Sequence, residues 1–140
     1  MDRYRKLKLL IADGDANRRY LLQSGVHRAN PFICVDTADS LADAQSYLAA
    51  YRYDAVFCDW HLPEDGGAAL LAWLRAGPNH RRTPFVVIAA DGMCDPQSYA
   101  PHVVDDCVGA PFDPLPVYQK LTAVFDAAAA ARDDDPALAV

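Results

Sequence analysis

The sequence predicts an α/β fold built on a doubly wound parallel sheet. Apolar segments of strand length alternate with amphipathic segments of helix length along the chain. The strand segments are nearly continuous aliphatic runs, which is typical of parallel strands covered by helices on both faces. Five such strand–helix units with right-handed crossovers give a sheet with helices on both sides.

Polar residues mark where the first strand ends and where the first helix begins and ends. Residues 7–12 are apolar apart from Lys8, and the polar stretch 13–17 ends this strand and offers an N-cap to the helix that follows. Asn30-Pro31 ends that helix, because a residue before proline disfavours helical backbone.

The middle of the chain repeats this pattern twice. We expect a short strand at 32–35, a helix at 37–51, a third strand at 54–59 and a helix at 67–76. Gly77-Pro78 ends the last of these helices. Both helices carry apolar residues on one face at helical spacing.

The last third contains one irregular connection. An apolar strand is predicted at 84–90 and a fifth at 103–109. Pro96 suits the first turn of a helix between them, but Pro101 would break its interior, so we expect this fourth helix to be short, bent or irregular. A final helix is predicted at 114–131.

Length and charge limit the function classes. The 140 residues fit one domain at 1–126, followed by an Ala/Asp-rich tail at 127–140 that ends the last helix and is then disordered. A net charge of −6 argues against direct nucleic-acid binding. No segment has the length or pattern of a membrane span or a signal peptide, so we expect a cytoplasmic protein without membrane contact.

The four cysteines suggest packing rather than chemistry. Cys34, Cys58 and Cys107 fall in predicted strands, where free cysteine packs as a small hydrophobe, and Cys94 falls in a loop. No CxxC spacing occurs, so neither a zinc site nor a redox pair is predicted. A reactive Cys94 is the alternative.

The third strand points to the functional site. It ends on Asp59, and a Pro/Gly-containing loop follows before the next helix. Open α/β sheets bind their ligands at the carboxyl ends of their strands. The segment Asp59-Trp60-His61-Leu62-Pro63 with Gly67, and Ala110-Pro111-Phe112 after the fifth strand, resemble response-regulator receiver domains of the CheY-like family over about residues 6–125.

This resemblance implies a flavodoxin-like five-stranded sheet of order 2-1-3-4-5, a cis bond at Pro111 and Asp59 as the phosphoacceptor. Four positions depart from the family pattern. Gly14 stands where a second acid would bind Mg²⁺, and Ala89 replaces the switch hydroxyl. Ala110 stands where the family has a lysine before the proline that follows the fifth strand. Cys107 stands where the family has an aromatic residue that changes rotamer on activation.

Only a weak Mg²⁺ site remains on this interpretation. Its ligands would be Asp13, Asp59 and the backbone carbonyl of His61, because the side chain of Asp15 points elsewhere if the backbone follows the family. The His61 side chain as a transition-metal ligand is a less favoured alternative. No nearby Lys or Arg is predicted to replace the missing cation, so Asp13 and Asp59 are expected to share a proton at mildly acidic pH.

The resulting hypothesis is a pseudo-receiver of a two-component phosphorelay, with weak or no phosphorylation at Asp59. It is not an enzyme, carries no cofactor or a weakly bound Mg²⁺, and acts through contacts with a histidine kinase or a downstream signalling protein, with homodimerisation left open. A working phosphoacceptor with an atypical site is the main alternative, and a small-molecule or metal binder ranks third. The expected contact face carries Tyr99, His102, Asp105, Tyr118 and Gln119.

Isolated histidines and tryptophans are given structural roles. His27, His80 and His102 are expected at the surface. Trp60 is expected to pack near the site, and Trp73 under the third helix.

Overall fold

The computed structural model describes residues 6–133, and the side chains of residues 6–126. Five strands, four α-helices and one 3₁₀ helix alternate along this part of the chain. The strands are β1 (Lys8–Ala12), β2 (Cys34–Ala38), β3 (Ala55–Asp59), β4 (Phe85–Ala89) and β5 (Asp106–Gly109). The helices are α1 (Ala16–Ala29), α2 (Leu41–Ala50), α3 (Gly66–Ala76), the 3₁₀ helix Pro96–Tyr99 and α4 (Pro114–Asp133).

All five strands are parallel and lie in the order β2-β1-β3-β4-β5. The predicted fold class and strand order are confirmed. The order in which successive strands are added reverses between β1 and β3, where Ala12 lies beside Cys58. The residues that follow these two partners, Asp13 and Asp59, therefore stand side by side at the carboxyl edge of the sheet.

The core has two halves because side chains alternate along each strand. Leu10 and Val56 belong to the cluster that α2 and α3 cover. Leu9 and Phe57 belong to the other cluster, which α1 and α4 cover. All five residues of β3 are buried, so the sequence of β3 reads as one continuous apolar run up to Asp59.

The second strand differs from its predicted position. β2 covers Cys34–Ala38 rather than 32–35, and α2 begins at Leu41 rather than at residue 37. Asp36 and Thr37 look like helix-start residues, but here they belong to an edge strand that is only half buried. The N-cap is Ser40, whose side chain accepts a hydrogen bond from the Asp43 N–H (3.1 Å).

The connection between β4 and β5 is as irregular as its prolines predict. It contains a single 3₁₀ turn in place of an α-helix, with Asp95 as its N-cap. β5 begins at Asp106 instead of residue 103, and the Ala110–Pro111 bond is cis as the resemblance implies. Within the described tail, α4 continues to Asp133; the predicted disordered end falls outside the described residues.

Two packing expectations are wrong. His80 is buried, with Nε2 2.8 Å from the Leu48 carbonyl and Nδ1 3.1 Å from the Thr83 hydroxyl. Trp73 is 38% exposed on the outer side of α3 rather than packed beneath it. Among the described helices, none combines the length and the apolar character that a bilayer crossing requires.

Candidate functional site

Asp13 and Asp59 form a buried acidic pair at the carboxyl edge of the sheet. Their side chains are 1% and 6% exposed. Tight turns after β1 and β3 orient them: the Asp15 N–H donates to Asp13 Oδ1 (2.8 Å), and the His61 N–H donates to Asp59 Oδ1 (3.0 Å). Two buried carboxylates side by side require a compensating positive charge.

Arg18 supplies that charge. Its Nε donates to Asp13 Oδ2 and its Nη2 to Asp13 Oδ1, both at 3.0 Å. The same Nη2 donates to Asp59 Oδ2 at 3.2 Å. The guanidinium thus binds Asp13 through two parallel hydrogen bonds and bridges it to Asp59, which is a geometry that lysine cannot reproduce.

The start of α1 places this arginine. Asp15 is the N-cap, and its Oδ1 accepts the Arg18 N–H at 3.0 Å, so Arg18 is the third residue of the helix. A cation in the first helical turn is opposed by the helix dipole. The carboxylates of Asp13, Asp59 and Asp15 outweigh that effect, and the hydrogen bond to Asp13 raises the pKa of Arg18.

The sequence-based expectation that no Lys or Arg neutralises the pocket is therefore wrong. The shared proton between Asp13 and Asp59 was inferred from that missing cation and loses its basis. The available signal was local: an Asp N-cap at position 15 fixes the first helical turn, and an arginine three residues later can turn back toward the strand end. The predicted N-cap within residues 13–17 is Asp15.

The donors around the two aspartates do not fit a Mg²⁺ ion. Each carboxylate oxygen of Asp13 and Asp59 already accepts a hydrogen bond, from Arg18 or from a backbone N–H. Magnesium prefers octahedral oxygen ligands, and the guanidinium already bridges the two buried carboxylates that a cation would have to share. The His61 side chain is exposed, and its backbone carbonyl adds one ligand at most.

The positions that depart from the receiver pattern carry no replacement donors. Ala89 ends β4 and is buried, and Ala110 follows β5, where its N–H donates to the Ala89 carbonyl (3.4 Å). Neither methyl side chain can donate a hydrogen bond. A Cβ added at Gly14 would lie 3.7 Å from the nearest backbone atom, so this position lacks an acid without any steric reason.

The fourth departing position, Cys107, is part of a disulfide. Cys94, in the loop after β4, is bonded to Cys107 in β5, with Cα atoms 5.5 Å apart. The prediction of free, packed cysteines is wrong for these two residues, which are bonded although they lack CxxC spacing. Cys34 and Cys58 are free, and burial raises the pKa of the Cys58 thiol.

The disulfide also accounts for a cluster of ligand-type side chains. Within the described part of the chain, the one group of three such residues close enough to hold a metal is Cys94, Asp106 and Cys107. The sulfur–sulfur bond uses two of these three ligands.

Trp60 connects the acidic pair with the β4–β5 segment. Its ring lies 5.1 Å from Tyr99 and 5.1 Å from His102, measured between centroids, and edge-on to Phe85 at 6.4 Å. Two residues of the expected contact face are therefore packed against the residue that follows Asp59.

The other three residues of that face lie on β5 and α4 or next to them. Tyr118 and Gln119 are exposed on α4. Asp105 lies just before β5 and is engaged internally. Its Oδ2 accepts hydrogen bonds from Arg75 Nη2 (3.0 Å) and from the Phe85 N–H (2.7 Å).

Glycine allows α3 to approach the loop after Asp59. A Cβ on Gly67 would lie 2.4 Å from the Trp60 carbonyl oxygen, so no larger residue fits without a backbone shift. This close approach holds the Asp59 loop against the first turn of α3.

Comparison with known proteins agrees with this geometry. Residues 9–121 match the family model described as the response regulator receiver domain. The chain belongs to this family. Receiver domains act in two-component signalling, where they interact with histidine kinases and other signalling proteins, and they generally bind Mg²⁺ at the phosphorylation site.

Individual relatives are distant. A probable chemotaxis protein CheY of Rhizobium etli is 24% identical over 87 residues, which are 62% of this chain and 67% of that protein. The signal receiver domain of an HD domain-containing protein from Pseudomonas fluorescens superposes with a TM-score of 0.79 at 19% identity, covering 96% of this chain and 98% of that one. The chemotaxis response regulator CheY4 of Vibrio cholerae gives 0.75 at 19% identity, covering 86% and 99%.

Proposed function

We propose that this receiver domain is a pseudo-receiver, a cytoplasmic signalling module that acts through protein contacts without phosphorylation at Asp59. The observation that carries the proposal is the Arg18 guanidinium bridging Asp13 and Asp59. Phosphoryl transfer to a carboxylate requires a free nucleophilic oxygen, a divalent cation and donors for the phosphoryl oxygens. Each of these three requirements is compromised in this pocket.

Both carboxylate oxygens of Asp59, the nucleophile in this reaction, already accept hydrogen bonds. Asp59 Oδ1 accepts from the His61 N–H and Oδ2 accepts from Arg18. An attacking oxygen would have to give up one of these charge-assisted contacts in a buried pocket. The internal cation also competes with Mg²⁺ for Asp13 without the entropic cost of binding a separate ion, because Arg18 is already fixed by the start of α1.

The pocket also lacks hydrogen-bond donors for the phosphoryl oxygens at two positions. An incoming phosphoryl group would meet the methyl groups of Ala89 and Ala110 where donors are needed. Hydrogen bonds to charged groups are worth about 1.5–3 kcal/mol each, so losing two of them lowers a transfer rate by several powers of ten.

A pseudo-receiver of this kind presents its partner with a face whose conformation does not depend on phosphorylation. The face we propose comprises Tyr99, His102, Asp105, Tyr118 and Gln119. Trp60 and Arg75 hold its first three residues in place. The partner is a histidine kinase or a downstream signalling protein rather than nucleic acid, given the net charge of −6.

The proposal is tested with the full chain, Mg²⁺ and a small-molecule acyl phosphate as donor. Intact mass after incubation is expected to show no phosphoryl adduct, as in the Asp59→Asn variant. A quadruple variant, Gly14→Asp, Arg18→Ala, Ala89→Thr and Ala110→Lys, restores the family's groups and is expected to form the adduct. An adduct on the unmodified chain that disappears in Asp59→Asn would overturn the proposal in favour of a working phosphoacceptor.

A further inference from the structure

We propose that the Cys94–Cys107 disulfide is a thiol-exchange switch that controls the conformation of the segment between β4 and β5. The two cysteines are 13 positions apart and close a loop that contains Tyr99 and His102. The inference concerns a different part of the molecule from the acidic pair. Its link to signalling rests on the proposed contact face, and its assignment as redox-sensing rests on the proposed cytoplasmic location.

The segment has few other attachments to the sheet. Its 3₁₀ helix buries none of its four residues, and Met93 and Val103 are 75% and 82% exposed. Most of its side-chain hydrogen bonds are local. For example, the Asp91 and Asp95 carboxylates each accept a hydrogen bond from the backbone N–H two residues later in the chain.

At its C-terminal end the segment is tied to the sheet by the burial of Val104 and by the bonds of Asp105 to Arg75 and Phe85. Before Val104, its main long-range contacts are the packing on Trp60 and the disulfide, so the covalent bond carries much of the restraint there.

The exposure of the two sulfur-bearing residues sets the direction of exchange. Cys94 is exposed, whereas Cys107 is fully buried in β5. An external thiolate therefore reaches the Cys94 sulfur, forms a mixed disulfide there and releases Cys107 as a thiolate. A second external thiol then releases Cys94. The net step oxidises two external thiols to one disulfide and reduces the protein disulfide to two thiols.

Charged groups near β5 affect how readily Cys107 leaves as a thiolate. The Asp106 carboxylate lies within 4.8 Å of both sulfur atoms and opposes a new negative charge on Cys107. Lys120 Nζ donates to Asp106 Oδ1 at 2.9 Å and offsets part of that repulsion. The reverse reaction needs a low-molecular-weight disulfide such as oxidised glutathione. Disulfides in reducing compartments are usually transient and redox-sensing, which is the behaviour we assign to this one.

The experiment measures thiols and backbone protection on the full chain in buffers of graded reduced-to-oxidised glutathione ratio. Samples are quenched in acid, denatured and labelled with a maleimide, because the buried Cys58 would escape native labelling. We expect two reactive thiols in oxidising buffer, four in reducing buffer, and a transition between them. Hydrogen exchange of residues 92–103 should be at least tenfold faster in the reduced form, with β1 and α1 unchanged.

Two variants make the assignment specific. Cys94→Ser changes an exposed position and should show the fast exchange pattern in both buffers. Cys34→Ser removes a free cysteine and should respond like the unmodified chain. Four thiols at every ratio, a bond that resists every glutathione ratio, or equal exchange in both forms would each overturn the switch. None of these results bears on phosphorylation of Asp59.

Discussion

The Arg18 guanidinium binds the Asp13 carboxylate through two parallel hydrogen bonds of 3.0 Å while remaining 30% exposed itself. A cation reaching from the partly solvated first turn of α1 thus neutralises an acid that is 1% exposed. The chain itself supplies a cation to this pocket, where receiver domains generally use a metal ion.

Arg18→Ala should lower the free energy of unfolding by about 2–3 kcal/mol, because it leaves two buried carboxylates without a cation. This figure is below the usual range for a fully buried pair, since Arg18 is partly solvated. Urea denaturation followed by tryptophan fluorescence measures the effect.

The matched control is Arg28→Ala, which removes an exposed arginine from the last turn of α1 and should cost less than about 1 kcal/mol. Equal losses for the two variants would show that Arg18 contributes only as a surface charge.

Gly67→Ala should destabilise the fold by about 1–3 kcal/mol, since its Cβ would lie 2.4 Å from the backbone oxygen of Trp60. Gly14→Ala is the control, because its Cβ would meet nothing closer than 3.7 Å. Thermal unfolding of both variants measures the contrast. If Gly67→Ala were as stable as Gly14→Ala, the close approach of α3 to the Asp59 loop would be wrong.

The sequence predicts the three central strands well because they are apolar runs bounded by polar residues, and burial on both faces produces that pattern directly. β2 was misplaced because an edge strand needs no such run. Asp36, in its middle, bonds to the Tyr53 hydroxyl (2.6 Å) rather than facing a core.

The site was less predictable because its key partners are distant in sequence. Arg18 and Asp59 are 41 positions apart and meet only through the register of β1 and β3. The Cys94–Cys107 bond likewise depends on a loop folding back over β5, and no local pattern encodes that path. The resemblance identified which groups are missing, but it could not reveal what replaces them.

His80 should make stability depend on pH near neutrality. Burial lowers the pKa of its imidazole in the folded state. As the pH falls through the unfolded value of about 6.5, the unfolded chain binds a proton that the folded chain does not, so stability falls. The stabilisation present above this pH is lost progressively below it, at up to about 1.4 kcal/mol per pH unit.

His80→Gln should therefore lose less stability than the unmodified chain between pH 7 and pH 5.5, as measured by urea denaturation at both values. His102→Gln, at an exposed histidine, should keep the original dependence. Identical slopes for all three proteins would contradict the role of His80.

Glu64→Gly should stabilise the fold by about 1 kcal/mol. Glu64 and Asp65 adopt left-handed backbone with φ of 63° and 54° in the loop between Asp59 and α3. This conformation costs a residue with a Cβ roughly 1–2 kcal/mol, which glycine avoids. The greater conformational entropy of glycine in the unfolded state cancels part of that gain in stability. Glu64→Ala removes the same charge but keeps the strain, so it should show no gain in thermal unfolding. A gain in both variants would attribute the effect to charge.

The double variant Gly14→Asp and Arg18→Ala, which supplies the missing acid and removes the guanidinium, should create a Mg²⁺ site. Gly14→Asp alone adds a carboxylate beside a guanidinium that can pair with it, and Arg18→Ala alone removes the guanidinium but leaves only two acids. The double variant should bind Mg²⁺ at least tenfold more tightly than either single variant, a difference in binding free energy of about 1.4 kcal/mol. Trp60, adjacent to Asp59, reports binding by fluorescence in a Trp73→Phe background. Asp59→Asn in the double variant should abolish the signal, and tight Mg²⁺ binding by the unmodified chain would show that Arg18 does not block the pocket.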